Sequence, residues 1–104
     1  MSEQTGFHDE LRKLQRRFVE RCRRDVSSLT PVAGKAEIDA ETQSMVVRIA
    51  HQLAGAGGTF GFTDISSAAS AVEDLFSSDT PADRGESRAA LQTLIAALRR
   101  ADST

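Results

Sequence analysis

Four stretches of this chain place apolar residues at steps of three and four, the period of one face of an α-helix, and no stretch alternates with period two. That rhythm confines the 104 residues to an all-α fold. Phe7, Leu11, Leu14, Phe18, Cys22, Val26 and Leu29 mark the first face, and Met45, Ile49, Leu53, Ala56 and Phe60 the second. Ile65, Ala69, Val72 and Phe76 mark the third, and Leu91, Leu94, Ile95 and Leu98 the fourth. The residues between them predict helices over roughly 6–29, 40–60, 64–78 and 82–101. Thr30-Pro31 should stop the first helix, because the residue before a proline disfavours helical geometry. Asp39 should cap the second, Gly61 should end it in the left-handed conformation, and Thr63 should cap the third. Thr80-Pro81 followed by Asp83 reads as cap, first-turn proline and acidic third position of the fourth helix, with Gly85 able to delay its start to Glu86. Four amphipathic helices with mostly short connections predict an antiparallel four-helix bundle, and a chain of this length predicts one domain over 1–104.

The hydrophobic share of 39% suffices for a core, and 27% charged residues of both signs describe a soluble surface. A net charge of -2 with no Trp or Tyr offers no basic, aromatic-studded surface for single strands, so nucleic acid is not an expected partner. Arg12, Lys13, Arg16, Arg17, Arg21, Arg23 and Arg24 do cluster on the first helix, where such a run reads as a solvated face with docking as the sharper alternative. The single cysteine, Cys22, falls among core positions and reads as buried filler in a reducing compartment. No apolar run reaches the length of a membrane span and the N-terminus has no signal-peptide pattern, so the expected location is the cytoplasm, away from a membrane.

His51 breaks the pattern of its helix. At about 100° per residue it points roughly 200° from Ile49, opposite the apolar stripe, and should face solvent. Val47 and Arg48 lie one turn before it, and Ala54, Gly55 and Gly58 lie one and two turns after it on the same face. A glycine inside a helix costs about 0.5–1 kcal/mol relative to alanine, and this helix holds Gly55, Gly57 and Gly58 together. Gly55 and Gly58 fall on the histidine side, where missing side chains let another surface approach the imidazole. Gly57 falls nearer the core side, where it would let a neighbouring helix pack close. His8 has no such surroundings and is assigned no role. The glycines do not form a phosphate loop, since no strand precedes them and the Gly-Lys-Ser/Thr ending is missing.

The string Ala50-His51-Gln52-Leu53-Ala54-Gly55-Ala56-Gly57-Gly58-Thr59-Phe60-Gly61-Phe62 resembles the signature of histidine-containing phosphotransfer (HPt) domains, typically His-x-Leu-Lys-Gly followed by small residues, an aromatic or leucine, and Gly. The run Thr59-Phe60-Gly61-Phe62-Thr63 is similar to the phosphotransfer domains of chemotaxis histidine kinases. The resemblance implies that His51 is the phosphoacceptor, that Gly55 clears space, and that the partners are a response-regulator receiver domain and a sensor histidine kinase. It also implies that a polar residue of the following helix hydrogen-bonds the histidine; Glu73 stands at the matching spacing. Mg²⁺ and ATP would reside on the partners, this chain holding no cofactor or metal, and an HPt domain of this length without an added dimerisation helix is expected to be a monomer.

One residue departs from the family pattern. Ala54 stands where the family usually has lysine, which puts the rate of phosphorylation and the choice of partner in question. Arg48, one turn before His51, is the candidate to supply positive charge instead. The retained His51 and Gly55 favour a phosphoryl carrier that is not an enzyme in its own right. The alternative is an adaptor or kinase inhibitor of the same fold that is not phosphorylated. A hydrolase using Glu73 and His51 lacks any nucleophile motif or metal-ligand spacing, and an inert bundle leaves the glycines beside His51 without a physical account.

Overall fold

The computed structural model describes residues 2–78 and 83–103 and contains four α-helices: α1 (Ser2–Ala33), α2 (Ala40–Thr59), α3 (Thr63–Ser77) and α4 (Arg84–Ser103). They pack as a bundle in which α2 lies along α3, α3 along α4, and α4 along α1. The core between them is built from Phe18, Cys22 and Leu29 of α1, Val46, Ala50 and Leu53 of α2, Ile65, Ala69, Val72 and Phe76 of α3, and Leu91, Leu94 and Leu98 of α4. Each fully buried Leu or Ile contributes about 1.5–3 kcal/mol. Among the described residues no helix is long and apolar enough to cross a membrane.

The first helix crosses Pro31 instead of stopping at Thr30. A proline inside a helix costs about 3 kcal/mol through its missing N–H and its clash with the preceding turn. Here the extra turn buries Val32 beside Leu29. From the start of the neighbouring α4, Arg84 caps that turn, its Nη2 donating to the carbonyls of Val32 and Lys35 at 2.7 Å each and its Nε to Lys35 at 3.0 Å. Orphan carbonyls of the helix end are thereby satisfied.

At its other end α1 outruns the bundle. A helix of 32 residues is about 48 Å long against about 30 Å for one of 20 residues, and the molecule is 54 Å long and only 23 Å wide. The expected burial of Phe7 and Leu14 is therefore not met: they are 68% and 45% exposed, and Leu11 is half-buried. The stripe continues in register, but nothing of α2, α3 or α4 reaches far enough to cover it.

The caps of α2 are those the sequence predicts. Asp39 accepts from the backbone N–H of Thr42 at 2.7 Å, and this hydrogen bond to Thr42 holds its carboxyl below the ordinary carboxylate range. Gly61, at φ +83°, ends the helix. The N–H of Phe62 reaches the carbonyl of Gly57 at 2.8 Å and that of Gly61 reaches Gly58 at 3.4 Å, the paired bonds of a Schellman ending. That tight turn displaces the expected Thr63 cap. The cap position of α3 is Phe62, which makes no side-chain cap bond, and Thr63 is already helical. In α4, Thr80 and Pro81 lie outside the described residues, as does the expected start at 82. The helix begins at Arg84, not Glu86, and Asp83 is its cap rather than its acidic third position, accepting from the N–H of Gly85 at 3.0 Å.

Candidate functional site

The buried face of α2 is formed by Val46, Ile49, Ala50, Leu53 and Gly57, so Ile49 and Leu53 of the predicted stripe are buried while Met45, Ala56 and Phe60 are only half-buried. This rotates the helix slightly from its sequence-predicted orientation and tips His51 toward α3. The imidazole remains outside, its side chain 75% exposed. Its Nδ1 lies 2.8 Å from Oε2 of Glu73, whose side chain is 28% exposed. Glu73 reaches it because Val72 and Phe76 anchor α3 in the core and leave the next position at the rim of the groove between the helices. A carboxylate only accepts, so Nδ1 donates the hydrogen bond, and in the neutral imidazole this contact selects the tautomer whose free lone pair is on Nε2.

Close approach of α2 and α3 depends on Gly57. A methyl group there would meet the backbone N of Ser66 at 3.1 Å, the carbonyl of Phe62 at 3.2 Å and Cγ2 of Ile65 at 3.3 Å. Gly55 differs: a methyl group there meets nothing within 4 Å, so the surface one turn past His51 is open. Gly58 is exposed but borders α3, where an added methyl would touch Oγ of Ser66 at 3.6 Å. Ala54 is half-buried against the core, and its carbonyl accepts from Oγ of Ser66 at 2.8 Å. Arg48 is exposed one turn before His51 and forms no ion pair among the described residues.

Gln52, which the sequence pattern did not single out, adjoins His51 and accepts a hydrogen bond from Arg21 of α1. Arg21 in turn faces Asp25 at 3.4 Å. Burial pushes the Asp25 carboxyl above the ordinary value of 3.8, with Arg21 opposing. Nothing in the spacing of either helix pairs residues 21 and 52; the contact exists only because the helices lie side by side. Cys22, buried beside this chain of contacts, is free, and burial raises its thiol to about 11, which leaves it a poor nucleophile. Among the described residues no three His, Cys, Asp or Glu side chains converge as a metal site.

No curated protein and no solved structure matches the chain. The family model of the Hpt domain matches residues 13–101, a span that holds His51, Glu73, the three glycines and the whole of α2 and α3. The chain belongs to the Hpt domain family, the histidine phosphotransfer modules of phosphorelay signalling.

Proposed function

We propose that the protein accepts a phosphoryl group on Nε2 of His51 and passes it to the aspartate of a response-regulator receiver domain, having received it from a sensor histidine kinase or another receiver. The observation that carries this reading is the pairing of an imidazole 75% exposed with Glu73 at 2.8 Å on the nitrogen that does not react. In the transfer the Nε2 lone pair forms the N–P bond as the phosphorus–oxygen bond to the donor breaks, and the bonding pair leaves with the donor oxygen. The Nδ1 proton stays in place. The ring gains positive charge, and the Glu73 carboxylate, already hydrogen-bonded to Nδ1, stabilises it. Phosphoryl transfer through a loose transition state asks mainly for positioning and charge neutralisation. Mg²⁺ and nucleotide are assigned to the partners, and a carrier served by a kinase's ATP belongs in the cytoplasm.

Open space at Gly55 supports docking of a surface directly over His51, and Arg48 stands where it can meet phosphoryl oxygens in place of the lysine that Ala54 replaces. The test is phosphotransfer with labelled ATP, offering wild-type and His51→Gln protein to the host's sensor kinases and phosphorylated receivers. An acid-labile, base-stable label on the wild type alone is the expected result. Binding of a partner with no label on either protein would replace the carrier by an unphosphorylated adaptor, with Ala54 the first residue to restore to lysine.

A further inference from the structure

Charge around His51 is divided unevenly between the two helices that flank α2. On one side α3 carries Asp64, Glu73 and Asp74 and no Lys or Arg. Glu73 is the hydrogen-bond partner of His51, and Ala54, where the family's lysine would stand, adjoins the same helix, its carbonyl accepting from Ser66. On the other side α1 presents Arg17, Arg21 and Arg24, spaced by four and three residues and therefore on one face of that helix. Arg21 fixes where this face points, because it donates to Gln52, the residue after His51. Arg24 stands close enough to join Arg21 in opposing the upward shift of the Asp25 carboxyl. Arg17 and Arg24 are exposed and form no ion pair among the described residues.

The two helices run antiparallel, since Phe18 meets Phe60 while Arg21 meets Gln52. At about 1.5 Å per residue, Arg17 lies about 6 Å from Arg21 toward the level of Gly55, and Arg24 about 4.5 Å from it toward the level of Arg48. The three guanidinium groups thus flank His51 along its whole length of helix. Acids of α1 do not cancel them: Asp25 is buried and already paired with Arg21, and Glu20 lines the groove toward α4 with Val19 and Arg23. Arg48 borders a groove shared with Phe76 and Ser77 of α3, and it is assigned to the phosphoryl group rather than to this edge. A specific protein contact covers about 800 Å² on each partner, a patch about 30 Å across, whereas neighbouring helices stand about 10 Å apart. A protein seated over the open surface at Gly55 therefore covers the arginine edge of α1 as well.

We propose that Arg17, Arg21 and Arg24 form an electrostatic docking edge for the acidic accepting face of a receiver domain, supplying on the α1 side of His51 the positive charge that Ala54 removes from the α3 side. This rests on the carrier reading and deepens it by orienting the partner. A receiver that takes a phosphoryl group on aspartate with Mg²⁺ presents carboxylates there, because Mg²⁺ is held by oxygen ligands. Those carboxylates lie toward α1, since over α3 they would meet Glu73 and Asp74. Charges of this kind act on the encounter more than on the seated complex, so their signature is an association rate that falls with salt.

Stopped-flow binding of the whole chain to the host's purified receiver domains, with phosphotransfer measured alongside, tests this. For a receiver that takes the label, Arg17→Glu with Arg24→Glu should cut the association rate about tenfold or more at about 50 mM NaCl and less than about threefold at about 500 mM. Arg12→Glu with Arg16→Glu makes the same change of net charge on the groove toward α4 and should alter the rate less than about threefold at either salt. All four arginines are exposed, so helicity should match the wild type in both proteins. Equal losses in the two proteins overturn the proposal, as does a loss confined to labelling by the kinase. Either result leaves transfer through His51 standing, whereas a panel in which no receiver binds or takes label overturns the carrier reading together with this one.

Discussion

Nδ1 of His51 and Oε2 of Glu73 lie 2.8 Å apart across the groove between α2 and α3, so a carboxylate holds Nδ1 and leaves Nε2, the proposed phosphoacceptor atom, to the exposed side of the ring. Replacing Glu73 by alanine removes the hold and the charge but not the nucleophile. Transfer from a phosphorylated receiver should slow by roughly 10- to 100-fold in quenched-flow measurements while some labelling persists. Glu73→Gln should slow it as well, because the amide can accept the hydrogen bond but brings no charge. Unchanged rates in both variants would leave Glu73 a bystander.

His51→Gln should eliminate labelling altogether with the fold intact. A side chain 75% exposed contributes little to packing, so the melting temperature should stay within about 2 °C of wild type. A large fall would contradict the exposed placement of the imidazole.

Gly55 and Gly57 are two residues apart and should respond in opposite senses. At Gly55 there is open space, so alanine should raise stability by about 0.5–1 kcal/mol, and leucine should keep the helix while blocking receiver docking. At Gly57 the nearest atoms are backbone of α3, which cannot move aside cheaply, and alanine should lower stability by about 1–3 kcal/mol. Urea titration of both variants, with a receiver-binding assay on Gly55→Leu, decides the matter; equal effects at the two sites would remove the distinction between clearance and packing.

Asp25 gives a pH test of the α1–α2 contact. Burial raises its carboxyl above 3.8 in the folded state, against the pull of Arg21. Below 3.8 the group is protonated in folded and unfolded chains alike and costs nothing. As pH rises through the folded value the buried carboxyl must ionise, and stability is lost relative to a neutral side chain. Asp25→Asn should therefore be the more stable protein at pH 7, with the difference shrinking as pH falls toward 3.8. A variant less stable at pH 7 would show that the ion pair with Arg21 outweighs burial.

Local signals in the sequence were enough for the four helices, for the Asp39 cap and for the turn at Gly61, because each is decided by a few adjacent residues. Pro31 misled for the same reason: its penalty is local, while its compensation comes from Val32 in the core and from Arg84, 52 positions beyond Val32. Thr63 was a plausible cap that lost to the geometry imposed by Gly61 one turn earlier. The exposure of His51 followed from periodicity, whereas Glu73 came into view only through the resemblance to HPt domains. Gln52 and Arg21 gave no signal, since their pairing is set by how two helices dock. Periodicity also could not show that Phe7 and Leu14 lie past the end of their neighbours, a matter of relative helix length and register.

The three-residue turn at Gly61 joins the helix of His51 directly to the helix of Glu73, so both members of the hydrogen-bonded pair belong to one hairpin. The bond from the Phe62 N–H to the Gly57 carbonyl, the bond from the Ser66 hydroxyl to the Ala54 carbonyl and the space that Gly57 leaves for the backbone of Ser66 all lie inside that hairpin. Substitutions at the overhanging end of α1, beyond the reach of this hairpin, therefore leave the spacing between His51 and Glu73 as the turn sets it.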